Sequence, residues 1–469
     1  MKILKLKTRF APSPTGFLHL GNIRTALFNA LLAKRNDGCF LLRIEDTDFD
    51  RSRPEYIAAL LEDLRWLGLN WVEGIGVGGS HQPYLQSERE SVYARYYRVL
   101  EAMQLVYTCF CTAEELVLSR RAQLAAGRPP RYTGTCARMS SAERQERLNS
   151  GLQPTLRFCV PIGQIIEFKD LVRGLQRFCS DDIGDFVIRR ADGTPQFLFA
   201  NAVDDNLMEV THVLRGEDHL ANTPRQLLLL EALGLSVPNY GHLPLIVGTN
   251  GEPLSKRLGD LSVRKLRAVG YFSEALLNYL ARLGHSYGSD LWMDWNELAA
   301  GFSQERLGHA PAHYDEIQLL HWQAEAIRHA SIERLWCWMG PKVWELVPTK
   351  LAEEFVITVR SNIRFPVDAL FWAERLFSTK MIRSAESQDA INTAGHEFFG
   401  EALAAYNQNG ANYQTLICEL QRRTGAKGKN LFMPLRAAFT GETHGPELAR
   451  ILTILHHTET VRCRLLSCI

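Results

Sequence analysis

Apolar and polar positions alternate in two different rhythms at the start of the chain. Leu4 and Leu6 alternate with Lys5 and Lys7, which predicts a strand over residues 4–10. Ile23, Ala26, Leu27, Ala30 and Leu31 follow i, i+3, i+4, i+7, i+8 spacing, which predicts a helix over 18–35, stopped by Asp37-Gly38. Residues 39–44 are apolar except for Arg43, the pattern of a buried parallel strand. Ile57, Leu60, Leu61 and Leu64 mark a second helix. From about 87 to 190 the chain is polar, Arg-rich and punctuated by Gly127-Arg128-Pro129-Pro130, and it reads as an insertion. The alternation then resumes, with a strand over 207–214, a helix over 224–233 and a strand over 242–247. Beyond about 260 the pattern is helical with no convincing strand; Leu448, Ile451, Leu452 and Leu455 form one face of the last long helix. The predicted fold class is therefore α/β: a Rossmann-like parallel sheet with an α+β insertion, followed by an all-α C-terminal half.

Composition narrows the function classes. The 469 residues are 46% hydrophobic and 22% charged, as in a globular protein of several domains. Fifty-three Lys+Arg against 52 Asp+Glu exclude a uniformly basic nucleic-acid coat and an acidic disordered tail. A neutral total still permits a basic face. No apolar run approaches the ~20 residues that span a bilayer, and the first ten residues lack a signal-peptide core. The expected setting is cytoplasmic, with no membrane partner. Ten cysteines are too few for a disulfide scaffold. Cys39, Cys159, Cys179, Cys337 and Cys418 stand singly and read as reduced structural residues, whereas Cys109, Cys111 and Cys136 are spaced differently.

Candidate chemistry starts at the end of the first strand. Arg9-Phe10-Ala11-Pro12-Ser13-Pro14-Thr15-Gly16-Phe17-Leu18-His19-Leu20-Gly21-Asn22 makes a rigid turn that opens directly into a helix. Such a helix terminus favours phosphate. His19 is placed to donate a hydrogen bond there, and Gly21 would let a flat base or ribose approach the backbone. No Walker phosphate loop is present. A lysine comes instead from Gly251-Glu252-Pro253-Leu254-Ser255-Lys256-Arg257-Leu258-Gly259, after the last strand of the resumed pattern.

Together these two segments resemble the HIGH and KMSKS signatures of class I aminoacyl-tRNA synthetases. Arg43-Ile44-Glu45-Asp46-Thr47-Asp48, Val203-Asp204-Asp205 and Leu214-Arg215-Gly216-Glu217-Asp218-His219 extend the resemblance to glutamyl-tRNA synthetases. Matching segments run from residue 9 to about 285, with a weaker echo in residues 434–441. The resemblance implies activation of L-glutamate by ATP and transfer to the 3′ end of tRNA(Glu). It places His19, Gly21, Asn22, Ser255, Lys256 and Arg257 around ATP, with His19 and Lys256 catalytic. Arg9 and Arg215 would face the carboxylate end of glutamate and Glu45 its ammonium, with Ala11, Ser13, Phe197 and Asn201 completing the pocket. Mg²⁺ would accompany ATP, held mostly by phosphates and water.

The resemblance also divides the chain. Residues 1–86 and 191–260 would be the halves of the catalytic domain, and 87–190 an insertion gripping the tRNA acceptor end. Residues 261–322 would be a helical stem-contact domain and 323–469 a helical anticodon-binding domain. Two departures stand out: Phe197 where relatives carry tyrosine, and Pro253 where the second signature begins with lysine. The first removes a hydroxyl from the amino-acid pocket and predicts altered glutamate binding.

In the insertion, Cys109, Cys111 and Cys136 are a moderate metal signal, and by resemblance Tyr132 would be the fourth ligand of a structural Zn²⁺. Three buried thiols without metal are the other reading. In the helical half Arg360, Asn362, Arg364, Arg436 and Thr440 are the expected tRNA contacts. An arginine reading the third anticodon base is typical of enzymes confined to tRNA(Glu). By the resemblance that position falls on Asn362 or, with a shift of two residues, on Arg360 or Arg364, so charging of tRNA(Gln) stands beside charging of tRNA(Glu). The expected assembly is a monomer. A tRNA-binding paralogue that does not charge is the rival class.

Overall fold

The computed structural model describes residues 5–248, 250–252, 254, 261–378 and 381–469. They pack as two units, Met1–Lys265 with Leu277–Asp315, and Leu266–Leu276 with Glu316–Ile469.

The first unit is built on β1 (Lys7–Phe10), α1 (Leu20–Arg35), β2 (Cys39–Leu42), α2 (Pro54–Trp66) and β3 (Glu73–Gly74). β2 pairs in parallel with both β1 and β3, with Thr8 opposite Phe40 and Leu42 opposite Gly74. All four residues of β1 are buried, so the leucine–lysine alternation does not mark a solvent face. Lys7 is accommodated by an ion pair to Glu73 at 2.9 Å.

The insertion supplies α3 (Glu90–Ala102), β4 (Val106–Cys109), α4 (Ala113–Ala125), α5 (Ser141–Asn149), β5 (Thr155–Phe158), β6 (Ile165–Asp170), β7 (Gly174–Cys179), the short α6 (Ser180–Ile183) and β8 (Phe186–Arg189). β4, β5 and β8 form an antiparallel sheet, and β6 and β7 a hairpin. Stacking of Tyr97 on Phe199, ring centroids 4.4 Å apart, ties the insertion to α7 (Phe197–Leu207).

The α/β pattern resumes with α7, β9 (His212–Gly216), α8 (Thr223–Ala232), β10 (Asn239–Leu243) and β11 (Ile246–Val247). Thr211, just before β9, donates its N–H to the Lys7 carbonyl at 2.9 Å and so sets β9 beside β1; β10 pairs with β9 in parallel as a two-stranded sheet. The strand predicted over 207–214 begins later, at His212. Leu207 closes α7, and the buried Met208 and Val210 pack against Leu41 and Tyr240 in the turn. The strand predicted over 242–247 is split at Pro244, which has no N–H for a ladder.

α9 (Val263–Val269), α10 (Ser273–Arg282), α11 (Trp295–Gly301) and β12 (Ala312–His313) follow. β12 pairs with β11, a strand in a stretch expected to be helical; two residues are too few to show a period of two. Residues 277–315 belong to the first unit through contacts such as Phe28 with Phe302, centroids 5.3 Å apart, so the packing divides elsewhere than the sequence boundaries at 260 and 322.

The second unit continues with α12 (Glu316–His329), α13 (Ile332–Met339), α14 (Pro341–Leu346), α15 (Ala352–Val359), α16 (Pro366–Phe377), α17 (Ala385–Asn409), α18 (Tyr413–Thr424), α19 (Lys429–Thr440), α20 (Leu448–His457) and α21 (Val461–Leu466). Gly441 ends α19 at φ 77°, and a Cβ there would collide with the Ile382 carbonyl. Cys337 and Cys418, expected in cores, are exposed, whereas Cys39, Cys159 and Cys179 are half-buried. Among the described residues no helix is long and apolar enough to cross a membrane.

Candidate active site

A cleft of about 420 Å³ opens at the carboxyl ends of β1, β2 and β9, where open parallel sheets hold ligands. Its walls bring together Arg9, Ala11, Ser13, His19, Gly21, Asn22, Glu45, Phe197, Asn201 and Arg215, residues spread over more than two hundred positions of sequence.

His19 is the N-cap of α1. Its Nδ1 accepts the Gly21 N–H at 3.2 Å, while Asn22 Oδ1 accepts the His19 N–H at 3.3 Å. With Nδ1 an acceptor, the neutral imidazole carries its proton on Nε2 and can donate from there. Burial lowers the His19 pKa and favours that neutral form. Gly21 has a second reason for lacking a side chain: a Cβ would lie 3.0 Å from His19 Cε1 and displace the ring. Ser255, Lys256 and Arg257 lie outside the described residues. The chain just after them returns to this turn, where Ser262 bridges His19 and Val263 donates its N–H to the Leu18 carbonyl at 3.0 Å.

The opposite wall is a buried charge network. Arg43 Nη2 pairs with Glu45 at 2.8 Å and with Asp205 at 2.7 Å. Arg9 Nε donates to Asp205 at 3.3 Å. Asn201 donates to Glu45 Oε1 at 2.7 Å and is itself aligned by Gln226 at 2.8 Å. Glu45 Oε2 is buried with no protein partner among the described residues. Burial pushes the Glu45 carboxyl up against the pull of Arg43 and Arg9, so a cation at Oε2 would be strongly favoured. Burial acts the same way on Asp205, but Arg9 and Arg43 outweigh it and hold that carboxyl below its ordinary range.

Arg215 differs from these arginines. Its Nε donates to His242 Nε2 at 3.1 Å and its Nη2 to Thr223 Oγ1 at 2.8 Å, and its guanidinium lies 4.9 Å over the Tyr240 ring. Nη1 is buried with no protein partner among the described residues. Burial lowers its pKa to about 10, the direction expected of a cation with neutral neighbours. The buried set Arg9, Arg43 and Arg215 exceeds Glu45 and Asp205 by one positive charge.

Sequence reading passed over Arg43, Asp205, Thr223, His242 and Asp170 as site residues. The signal for the first two was visible, an arginine breaking an apolar strand and an acid inside an apolar helix. Nothing local marks the others, because Asp170 and His242 meet only in the fold.

The family model for the class I tRNA synthetase (E and Q) catalytic domain matches residues 5–321, and an anticodon-binding domain model matches 366–468. The chain belongs to the class I tRNA synthetase (E and Q) family. It is 56% identical over 464 residues to glutamate–tRNA ligase 2 of Nitrosococcus oceani, covering 99% of this chain and 98% of the relative. It is 53% identical to glutamate–tRNA ligase 1 of Halorhodospira halophila over 97% of this chain and 95% of the relative. The crystal structure of a glutamate–tRNA ligase from Elizabethkingia meningosepticum with its amino acid superposes with a TM-score of 0.88 at 28% identity, covering 99% of each chain.

In this synthetase the cysteines of the insertion converge. Cys109, Cys111 and Cys136 Sγ atoms all lie within 4.8 Å of one another, and Cys111 and Cys136 are 3.6 Å apart. Tyr132 Oη is 3.5 Å from both Cys109 and Cys111. Four ligands at about 2.0–2.3 Å from a tetrahedral zinc sit about 3.5–3.8 Å apart, so the donor set fits that ion. Burial raises the Cys109 thiol, but hydrogen bonds from Tyr132 and Arg157 outweigh it and bring the pKa down to about 7. The Arg157 guanidinium lies 3.9 Å over the Tyr132 ring, and the Cys136 N–H donates to Tyr132 Oη at 2.8 Å. Both favour negative charge on Tyr132, but burial and its hydrogen bonds to Cys109 and Cys111 outweigh them and hold the Tyr132 hydroxyl above its ordinary value, and burial raises the Cys111 thiol to about 11.

The expected tRNA contacts of the helical unit separate into two groups. Asn362 and Arg364 are exposed. Arg360, by contrast, donates to the Ile327 carbonyl at 3.0 Å, to Arg328 at 2.6 Å and to Ala330, capping the end of α12. Arg436 bonds the Pro446 carbonyl. Thr440 corrects the sequence expectation: it is fully buried and donates to the Arg436 carbonyl at 2.8 Å, so it offers nothing to a surface ligand.

Proposed function

We propose that the chain is a glutamate–tRNA ligase. A carboxylate oxygen of L-glutamate attacks the α-phosphorus of ATP, pyrophosphate leaves, and a ribose hydroxyl at the 3′ end of tRNA then takes the glutamyl group as AMP leaves. One observation carries the reading: a single cleft holds a histidine-capped helix mouth on one side and, on the other, a buried pocket with one excess positive charge and an acceptor, Glu45 Oε2, with no protein partner among the described residues. The mouth suits the phosphates. Glu45 suits the substrate ammonium, and the excess charge suits a substrate bearing a carboxylate where glutamine bears an amide.

Transition-state charge on phosphorus calls for preorganised donors. His19 Nε2 and the first amides of α1 supply them, with Gly21 and Asn22 beside the nucleotide; by the resemblance Lys256, with Ser255 and Arg257, would complete the set. Mg²⁺ accompanies ATP. Cys109, Cys111, Cys136 and Tyr132 would hold a structural Zn²⁺ that fixes the acceptor-end insertion. Asn362 and Arg364 face the anticodon in residues 323–469. In this reading the enzyme is a cytoplasmic monomer.

Charging of purified tRNA(Glu) and tRNA(Gln) with labelled glutamate tests the reading. Charging of tRNA(Glu) with ATP–pyrophosphate exchange dependent on glutamate and tRNA supports it; no charging of either tRNA overturns it. Because Asn362 lacks arginine's charged, all-donor fork, charging of tRNA(Gln) is the second reading, and equal rates on both tRNAs would favour it. One equivalent of zinc by elemental analysis, lost in Cys111→Ser, is the result expected of the cluster; metal-free active protein would refute it.

A further inference from the structure

Arg215 is aimed by two residues that no substrate would touch. Asp170 is at the end of β6 and His242 on β10, and both are buried. Asp170 Oδ1 accepts three backbone N–H groups, from Val172 at 2.8 Å, Arg173 at 2.7 Å and His242 at 3.2 Å. Its Oδ2 lies 2.5 Å from His242 Nδ1. The carboxylate can only accept, so His242 carries its proton on Nδ1 and presents Nε2 as a lone pair. That lone pair receives Arg215 Nε and lies 3.0 Å from the Thr223 hydroxyl, and Thr223 receives Arg215 Nη2, which leaves Nη1 as the guanidinium edge with no protein partner among the described residues.

We infer that Asp170 and His242 are positioning residues for amino-acid recognition, fixing the imidazole tautomer that points Arg215 at the substrate carboxylate while keeping its charge unpaired. This rests on the function proposed above. Its physical sense is the contrast with Arg9 and Arg43, which pair directly with carboxylates. An acid placed directly on Arg215 would neutralise the charge that attracts the substrate. Placing the acid behind a neutral imidazole gives direction without forming an ion pair. Burial lowers the His242 pKa and favours the neutral form. The other charged and titratable groups facing the imidazole are Arg9 from β1, His219 from the turn after β9 and Tyr240 from β10 itself, with Asp205 and Glu45 beyond Arg215.

Asp170→Asn tests the tautomer with almost no change of shape. The three backbone donors pin the amide oxygen at the Oδ1 position, so the NH₂ group faces His242 Nδ1 and must donate to it. The imidazole proton then moves to Nε2, where it opposes the Arg215 N–H and competes with Arg215 Nη2 for the Thr223 hydroxyl oxygen 3.0 Å away. The expected result is a KM for glutamate raised about tenfold or more, with the KM for ATP within twofold of wild type. His242→Gln, which keeps an acceptor near Arg215, should cost less than His242→Leu, which does not; this pair gives the answer if Asp170→Asn does not fold. A glutamate KM within twofold of wild type in Asp170→Asn, a parallel rise in the ATP KM, or equal losses in the two His242 variants would overturn the inference. Wild-type protein that charges no tRNA would instead refute the functional reading, and the two failures are read separately.

Discussion

The amino-acid cleft and the helical unit both contain the arginines that the sequence suggested, yet they use them in opposite ways. In the cleft Arg9 and Arg43 grip carboxylates and Arg215 leaves Nη1 without a protein partner among the described residues, so positive charge remains for a ligand. In the helical unit Arg360 and Arg436 are hydrogen-bonded to backbone carbonyls. Arginine has five N–H donors and is equally suited to capturing a ligand or closing a helix end. Residue type and position do not separate the two roles; the partners of the fork do.

The largest expected effect comes from breaking the cleft. Arg9→Ala leaves Asp205, fully buried, with Arg43 as its one ion-pair partner. Removing one partner of a buried pair costs about 3–5 kcal/mol. That cost falls on folding and is reduced here because Arg43 still pairs with Asp205, so the melting temperature should drop, while loss of a charge-assisted contact to the substrate should lower kcat/KM for glutamate about a hundredfold. Normal glutamate kinetics in a folded Arg9→Ala protein would show that the network is structural alone.

The next effect divides the helical arginines. Arg364→Ala should lower kcat/KM for tRNA about tenfold with the glutamate KM unchanged. Arg360→Ala should do the reverse, lowering the melting temperature by a few degrees through its carbonyl caps while the tRNA KM stays within twofold. Equal losses of tRNA kcat/KM in both variants would erase the distinction.

His19 gives a smaller, pH-dependent effect within the cleft. Burial lowers its pKa from 6.5, so the acceptor form of Nδ1 prevails above that value. Protonation converts Nδ1 into a donor facing the Gly21 N–H. Between the folded value and 6.5 the unfolded chain binds more protons, so stability falls as pH drops through that window. The charging rate should show an acid limb below pH 6.5 and no His19 contribution above it. His19→Asn keeps a cap acceptor but no imidazole; an unchanged acid limb in that variant would assign it to another group.

How much of this was legible before the fold can be argued residue by residue. The parallel sheet was, because 3.6-residue spacing in α1 and an unbroken apolar run in β2 are direct consequences of burial. The helix mouth at His19 and Gly21 was, because its turn chemistry marks it; the amino-acid pocket residues were named through the resemblance to glutamyl-tRNA synthetases, not from spacing. Three things were not. Lys7 and Arg9 seemed to give β1 a polar face, but Glu73 and Asp205, distant in sequence, make their burial possible. Asp170 and His242 carry no local signal, since a hydrogen bond between elements leaves no periodicity. Thr440 was expected to contact tRNA from the family echo in residues 434–441, yet its hydroxyl is satisfied by its own helix, an i−4 bond.

Phe197 is the smallest perturbation and the sharpest comparison within the cleft. Its ring lines the pocket and lies 5.2 Å from the His219 ring, tilted by 39°. Burial, with help from Arg215, lowers the His219 pKa to about 4, so its neighbour is a neutral imidazole and not a competing cation. A tyrosine hydroxyl at residue 197 would add one donor to a wall where Arg9 and Arg215 already supply positive charge. A neutral hydrogen bond contributes roughly 1 kcal/mol net, about fivefold in an equilibrium. Phe197→Tyr should therefore lower the glutamate KM no more than about fivefold, while kcat and the tRNA KM stay unchanged. A shift of a hundredfold would mean that recognition in this cleft depends on the hydroxyl more than on the guanidinium groups, and a raised KM would mean that the ring is packed too closely for an added oxygen.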